Sequence, residues 1–192
     1  MLVEVAVTAL AHALGTLPVA HVVGRRAGVD PTTAGSGNPG ASNVYRTAGR
    51  RAGLLVFAGD AAKGALAVAV GWLAGDRVLA VVCGLAAVLG HVAPVTRRFR
   101  GGKGVATAAG VLVVLFPIVA LVAVPSWLLV AKVTGKASLA SIVAVVGAAV
   151  VIWFRSPPVE ELLGVVAIVV VVVLRHASNI RRLLRGEERA LR

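Results

Sequence analysis

Cysteine occurs once, as Cys83 within an apolar run. A lone thiol cannot close an intramolecular disulfide, and this one reads as a small core filler. Aromatic residues make up only 4% of the chain. No basic–aromatic platform for stacking bases is present, and no nucleic-acid-binding module is recognisable. Acidic residues are scarce as well: 8 Asp and Glu stand against 20 Lys and Arg, a formal net charge of +12. No Walker A loop occurs, because the four-residue glycine spacing and the Lys-Ser/Thr pair are missing. The first apolar run has neither a basic start nor a clear cleavage site, so a retained span is expected there rather than a signal peptide.

What the chain has in abundance is apolar sequence. It is 58% hydrophobic with a mean hydropathy of +0.92, the composition of an integral membrane protein. Seven apolar segments are expected, in a single domain over residues 1–192. They are Leu2 to Val23, Ala52 to Leu73, Val78 to Pro94, Val105 to Phe116, Ile118 to Val133, Leu139 to Phe154, and Glu160 or Glu161 to Leu174. The fourth is short for a full crossing. Asp60 and Lys63 lie inside the second, three residues apart and so on one helical face. Charges at such depth need a partner or a polar cavity, and a structural ion pair is the expectation. With the loop after the first segment in the cytoplasm, seven crossings put 17 of the 20 Lys and Arg on that side. This charge asymmetry predicts an outside N-terminus and a cytoplasmic C-terminus.

Three polar islands interrupt the apolar sequence. The first, Gly35 to Arg46, reads Gly-Ser-Gly-Asn-Pro-Gly-Ala-Ser-Asn-Val-Tyr-Arg. Successive glycine-rich amides form anion-binding nests, and Arg46 carries a fork suited to phosphate. The same residue types also make ordinary loops, so this window alone leaves both readings open. The second, His91 to Thr107, contains Gly101-Gly102-Lys103-Gly104 before an apolar run. A helix starting there would aim its free amides and positive dipole end at the same place. The third is Arg175-His176-Ala177-Ser178-Asn179-Ile180-Arg181-Arg182. The expected topology brings all three to one membrane face, next to apolar walls that suit a lipid chain. A transporter for an organic phosphate is the other class considered. It fits less well, because the islands gather at one face and no inverted repeat is visible.

The islands also carry a resemblance. Ser-Gly-Asn-x-Gly-Ala-Ser-Asn-x-x-Arg (36–46), Gly-His-x-x-Pro-Val (90–95) with Gly-Gly-Lys-Gly-Val-Ala-Thr (101–107), and Arg-His-x-x-Asn-Ile-x-Arg-Leu (175–183) resemble three signature regions. These belong to the bacterial acyl-phosphate:glycerol-3-phosphate acyltransferases, the PlsY family. Order, spacing and chain length agree over nearly the whole sequence, including Asp60-x-x-Lys63-Gly64. Ser42 stands where threonine is common, and Lys136 near where an aromatic is often found.

The resemblance implies an all-α integral membrane protein, a seven-helix transmembrane bundle in the bacterial plasma membrane with its site facing the cytoplasm. The implied reaction moves a fatty acyl group from acyl-phosphate to the 1-hydroxyl of glycerol 3-phosphate, giving lysophosphatidic acid and phosphate, with no cofactor and no metal. The expected partners are the two substrates and the lipid bilayer, with no nucleic acid, and the chain is expected to act as a monomer. The residues expected to act in catalysis are Ser36, Arg46, Lys103, His176 and Asn179. Substrate binding falls to Gly37, Asn38, Gly40, Ala41, Ser42, Asn43, His91, Gly101, Gly102, Gly104, Thr107, Ser138 and Ser141. In this scheme the first island cradles acyl-phosphate, while Arg46, Lys103, Ser141, His176 and Asn179 hold glycerol 3-phosphate. The hydroxyl proton goes to His176 or to the departing phosphate, and the resemblance favours phosphate. Glu188, in Gly186-x-Glu188, matches the family's closing acid, with a structural bond to the basic tail as its expected part.

Overall fold

The computed structural model describes residues 1–191 and is all helix. Its helices are α1 (Leu2–Gly15), α2 (Val19–Arg26), α3 (Ala41–Ala48), α4 (Arg50–Ala74), α5 (Arg77–Val92), α6 (Val105–Leu115), α7 (Pro117–Thr134), α8 (Ala137–Phe154), α9 (Val159–Arg175) and α10 (Ala177–Leu184). Five stretches are long and apolar enough to cross a bilayer: Leu2–Arg26, Arg50–Ala74, Arg77–Arg97, Pro117–Thr134 and Ala137–Phe154. A sixth appears if α9 and α10, bent by 58° at His176, are taken as one span. The eleven-residue α6 is too short to be counted among them. The seven expected segments are all recognisable, but they do not all have spanning length.

The first apolar run is broken between α1 and α2. Proline lacks an N–H, and its ring disfavours helical backbone at the residue before it. Pro18 therefore ends one helix at Gly15 and opens the next at Val19. The break frees the Leu17 carbonyl, which accepts a 3.3 Å bond from Lys63 Nζ on α4. Lys63 also pairs with Asp60 at 2.8 Å, both side chains buried, and His91 Nδ1 lies 3.5 Å from the same carboxylate oxygen. The expected intramembrane pair exists, and it ties α4 to the α1–α2 break and to α5.

Small residues let α4 and α6 approach closely. A Cβ on Gly110 would collide with the backbone of Ala61, and one on Gly64 with the backbone of Thr107. Such small-residue contacts are how helices associate where no water drives them together. The main core lies among α4, α5, α6 and α9 and includes Val68, Val88, Val111, Ile168 and Val172. Large apolar residues such as Leu73 and Leu121 point outward, 89% and 75% exposed. A soluble monomer rarely shows so much outward apolar surface.

Chain direction alternates from α5 to α9. His91, Lys103, Gly135, Ser138 and His176 lie together at one end, linked through the loops and the C-terminal tail. Arg77, Leu115 and Glu161 meet at the other, where Arg77 Nε bonds Glu161 Oε1 at 2.7 Å and its guanidinium donates to the Leu115 carbonyl at 2.8 Å. All three polar islands thus share one end of the bundle.

Candidate active site

The first island is built around Asn43. Its Oδ1 accepts from the Ser36 amide at 2.8 Å, and its Nδ2 donates to the carbonyls of Pro31 and Ala34, both at 3.0 Å. Asn43 is buried, and its amide is occupied by the loop itself. It therefore acts on a ligand only by shaping the loop that presents Ser36, Asn38 and Ser42.

The second island is folded back against α5. After the 3-10 turn Val95–Arg97, Arg98 and Phe99 take left-handed φ values of 50° and 60°. This reversal returns the chain so that the Gly102 amide donates to the His91 carbonyl at 3.1 Å. A side chain at Gly102 would strike the His91 ring, so only glycine fits this approach. From the other side Arg175 donates to the carbonyls of Gly101 and Gly102 at 3.1 and 3.2 Å. The clamped loop projects Lys103 toward the third island.

There, polar groups converge on one carboxylate. Lys103 Nζ donates to Asn179 Oδ1 at 2.5 Å, and Asn179 Nδ2 donates to Glu188 Oε1 at 2.6 Å. Ser138 donates to the same oxygen at 2.8 Å, and Arg182 Nε to Oε2 at 2.8 Å. The tail beyond α10 also reaches the first island. Arg46 donates to the Ala190 carbonyl at 3.4 Å, and Arg189 donates to the Gly35 carbonyl. Burial would raise the Glu188 pKa, but hydrogen bonds from Asn179, Ser138 and Arg182 outweigh it and keep the carboxyl below its usual value. Burial pushes Lys103 down to about 8, with Glu188 opposing and Arg182, Arg46 and Arg175 adding to the fall. One carboxylate facing Arg46, Lys103, Arg175 and Arg182 leaves an excess of positive charge, the condition for holding anions.

His176 sits at the α9–α10 bend and is buried. Its Nδ1 lies 2.8 Å from the Val172 carbonyl, which can only accept, so Nδ1 carries the proton and Nε2 the lone pair. Burial lowers its pKa to about 4; the Val172 bond opposes the shift and Lys103 reinforces it. The ring is therefore a neutral acceptor over the physiological range. Ser141 donates to the Ala137 carbonyl and accepts from Trp127 Nε1 at 3.0 Å.

These groups line the mouth of a cavity of about 470 Å³. Of the expected site residues, Ser36, Asn38, Gly40, Ala41, Ser42, Asn43, Arg46, His91, Lys103, Gly104, Ser138, Ser141, His176 and Asn179 border it. Four do not. Gly37 turns back toward the Thr32 carbonyl, and Gly101 and Gly102 lie behind the mouth against His91. Thr107 is fully buried on the face of α6 that packs on Gly64, and its hydroxyl has no hydrogen-bond partner among the described residues. Below the mouth the walls become apolar, with Val111, Leu112, Leu115, Phe116, Ala148, Val165 and Ile168 among them. Sequence reasoning missed Trp127 and this chamber floor. Only the relative rotation of four helices identifies them. Among the described residues no group of three or more His, Cys, Asp and Glu side chains is arranged to hold a metal ion.

Comparison with known proteins identifies the family. The family model for glycerol-3-phosphate acyltransferase matches residues 5–186. A glycerol-3-phosphate acyltransferase from Laribacter hongkongensis is 47% identical over 189 residues, covering 93% of this chain and 92% of its own. One from Trichlorobacter lovleyi is 42% identical over 179 residues, with 93% and 92% covered. Among solved structures, the integral membrane glycerol 3-phosphate acyltransferase PlsY (YgiH) superposes in its glycerol 3-phosphate form with a TM-score of 0.90. The two are 39% identical over 97% of this chain and 94% of that one. Its lysophosphatidic acid form gives a TM-score of 0.88 at the same identity and coverage. An all-helical, multi-pass integral membrane architecture follows for this protein. With a family match across most of the chain and a shared fold, this protein belongs to the PlsY family of glycerol-3-phosphate acyltransferases.

Proposed function

We propose that the chain, as a single-domain monomer, transfers a fatty acyl group from acyl-phosphate to the 1-hydroxyl of glycerol 3-phosphate, releasing lysophosphatidic acid and phosphate. The observation that carries this reading is the single cavity joining a cationic mouth to an apolar chamber. An acyl-phosphate has that same division, an anionic head on an apolar tail. The relatives' names supply the acceptor and the product.

An acyl-phosphate is a mixed anhydride and is already activated. The protein must hold two anions close together and aim a hydroxyl at the carbonyl carbon. Ser36, Asn38, Gly40 and Ser42 at the first island fit the phosphate of the donor. Arg46, Lys103, Ser141 and Asn179 fit that of glycerol 3-phosphate, with Ser138 beside them. The acceptor oxygen attacks the carbonyl carbon, the bond from that carbon to the phosphate oxygen breaks, and phosphate leaves as inorganic phosphate. A histidine with a pKa of about 4 is a weak base. His176 Nε2 therefore accepts a hydrogen bond that orients the hydroxyl, and the departing phosphate takes the proton. Gly102 and His91 act from behind by setting the height of Lys103.

In the membrane, α1–α2, α4, α5, α6, α7, α8 and α9 form seven passes, α6 being a short one, with the site at the cytoplasmic face. This topology is supported by the alternating helix directions and by the gathering of 17 of the 20 Lys and Arg in the islands, the loops beside them and the tail.

The experiment is phosphate release by the purified, detergent-solubilised protein given palmitoyl-phosphate, with and without glycerol 3-phosphate, and with palmitoyl-CoA as a parallel donor. Release that requires glycerol 3-phosphate, with lysophosphatidic acid formed and none from the CoA ester, is expected. Folded protein that releases nothing, or that uses the CoA ester equally well, overturns the proposal.

A further inference from the structure

We propose that Phe116, held in place by Arg77, is the stop beyond which a longer acyl chain gains no further binding to this protein. The proposal rests on the acyl-transfer reading above and names a determinant within it.

Four helices measure the depth of the chamber. On α5, Val81 lines the cavity ten residues from His91 at the mouth. On α8, Ala148 lies ten residues from Ser138, and on α9, Val165 lies eleven from His176. On α6, Phe116 follows the eleventh helical residue after Gly104. At 1.5 Å of rise per residue these separations of 10 to 12 residues agree on a depth of about 15–18 Å. An extended hydrocarbon advances about 1.25 Å per carbon, from a 1.52 Å bond at a bond angle near 111°. The chamber thus matches a chain of about 12–14 carbons before its end meets the floor.

The floor is packed and braced. Phe116 and Val165 pack against the buried cluster of Val119, Ala148 and Ile152. The Arg77 guanidinium lies 5.1 Å from the centroid of the Phe116 ring and 5.4 Å from that of Trp72. It also donates to the Leu115 carbonyl, while Glu161 holds its Nε. An arginine over an aromatic face is attracted to it, and the two hydrogen bonds keep it from swinging away. Nothing at the mouth depends on this brace, which lies at the opposite end of the bundle. Arg77 acts through Phe116 and is a positioning residue.

The test measures glycerol-3-phosphate-dependent phosphate release from acyl-phosphates of 10 to 18 carbons, in one detergent, by the full-length protein and its variants. Burial raises kcat/KM by about fourfold per methylene until the chain meets the floor. Phe116→Ala is expected to move the break in this profile to longer chains, raising the 18-carbon to 14-carbon ratio by about 15-fold for two further methylenes accommodated. Ala148→Leu, from the opposite wall, moves it to shorter chains. Arg77→Met blurs it without changing turnover of the 10-carbon donor, whose chain ends short of the floor. Should Phe116→Ala lose the 10-carbon activity as well, it has not folded, and Ala148→Leu decides the matter. A break that stays where it is in the folded variants overturns the stop but leaves the reaction standing. Absence of release from every donor by the unmodified protein overturns the reaction, and the stop with it.

Discussion

Lys103 offers the sharpest test of the site, because burial places its pKa at about 8, well below the 10.5 of an ordinary lysine. The sign follows directly: the ammonium is present below that pKa and is lost above it. At pH 7 about 90% of the free enzyme carries the charge, and at pH 9 only about 10%. Glycerol 3-phosphate is already a dianion across this window, since the second pKa of a phosphate monoester is near 6, so the ligand itself does not titrate. KM for glycerol 3-phosphate is therefore expected to rise about tenfold between pH 7 and pH 9, and about tenfold per further pH unit. kcat at saturation falls less, because bound dianion restores the proton. Lys103→Arg, which does not deprotonate in this range, should flatten the alkaline rise even if its KM at pH 7 is higher. Initial rates at five pH values, with acyl-phosphate saturating, measure both. A wild-type KM that stays flat to pH 10, or a Lys103→Arg enzyme that keeps the alkaline rise, would refute the assignment of Lys103 as the cation that holds this phosphate.

Three further outcomes follow from other parts of the structure. His176 is neutral above about pH 4, so any limb in activity between pH 5 and 7.5 should be that of the substrate phosphate, near 6, and should persist in His176→Asn; a limb that disappears in this variant would mean the imidazole titrates in turnover. Asn43→Ala removes three hydrogen bonds and leaves the buried Pro31 carbonyl unpaired, while the Ala34 carbonyl keeps its bond from the Gly37 amide; a stability loss of about 1–3 kcal/mol should appear as a lower unfolding temperature in detergent, together with weaker acyl-phosphate binding. Lys63→Met alone leaves the buried Asp60 carboxylate with only His91 beside it, at a cost of up to about 3–5 kcal/mol, whereas the Asp60→Asn, Lys63→Met pair should recover much of it; equal losses in the single and double variants would mean that the pair does not interact.

How much of this was legible in the sequence depends on the kind of residue. Ser36, Arg46, Lys103, Ser138, His176 and Asn179 stand in polar islands within an apolar chain, and such islands can only sit at the ends of membrane helices or around a cavity. Their convergence could be read from order, charge side and motif spacing, and the structure brings all six to one cavity mouth. Asp60 and Lys63 were legible as a pair because helical periodicity alone puts them on one face. Asn43 and Thr107 show where that reasoning stops. Both carry the polar groups expected of a site, yet Asn43 turns its amide into its own loop and Thr107 faces α4.

The amino-acid sequence by itself determined that this protein lives among lipids, that its charges collect at one end, and which groups are chemically able to hold phosphate. Composition and period suffice for these conclusions, because hydrophobic transfer and charge cost act on each segment independently of its neighbours. Only the tertiary structure decided which groups face the cavity and how deep the chamber runs. It also decided what the intramembrane charges do beyond pairing, since Lys63 meets the carbonyl that Pro18 sets free and Arg77 braces the floor at Phe116. Each of these is a contact between separate helices. The rotation and height of one helix against another are settled by the packing of small residues, such as Gly64 on Thr107 and Gly110 on Ala61. Such fits depend on both surfaces at once, and no single segment of the sequence contains them.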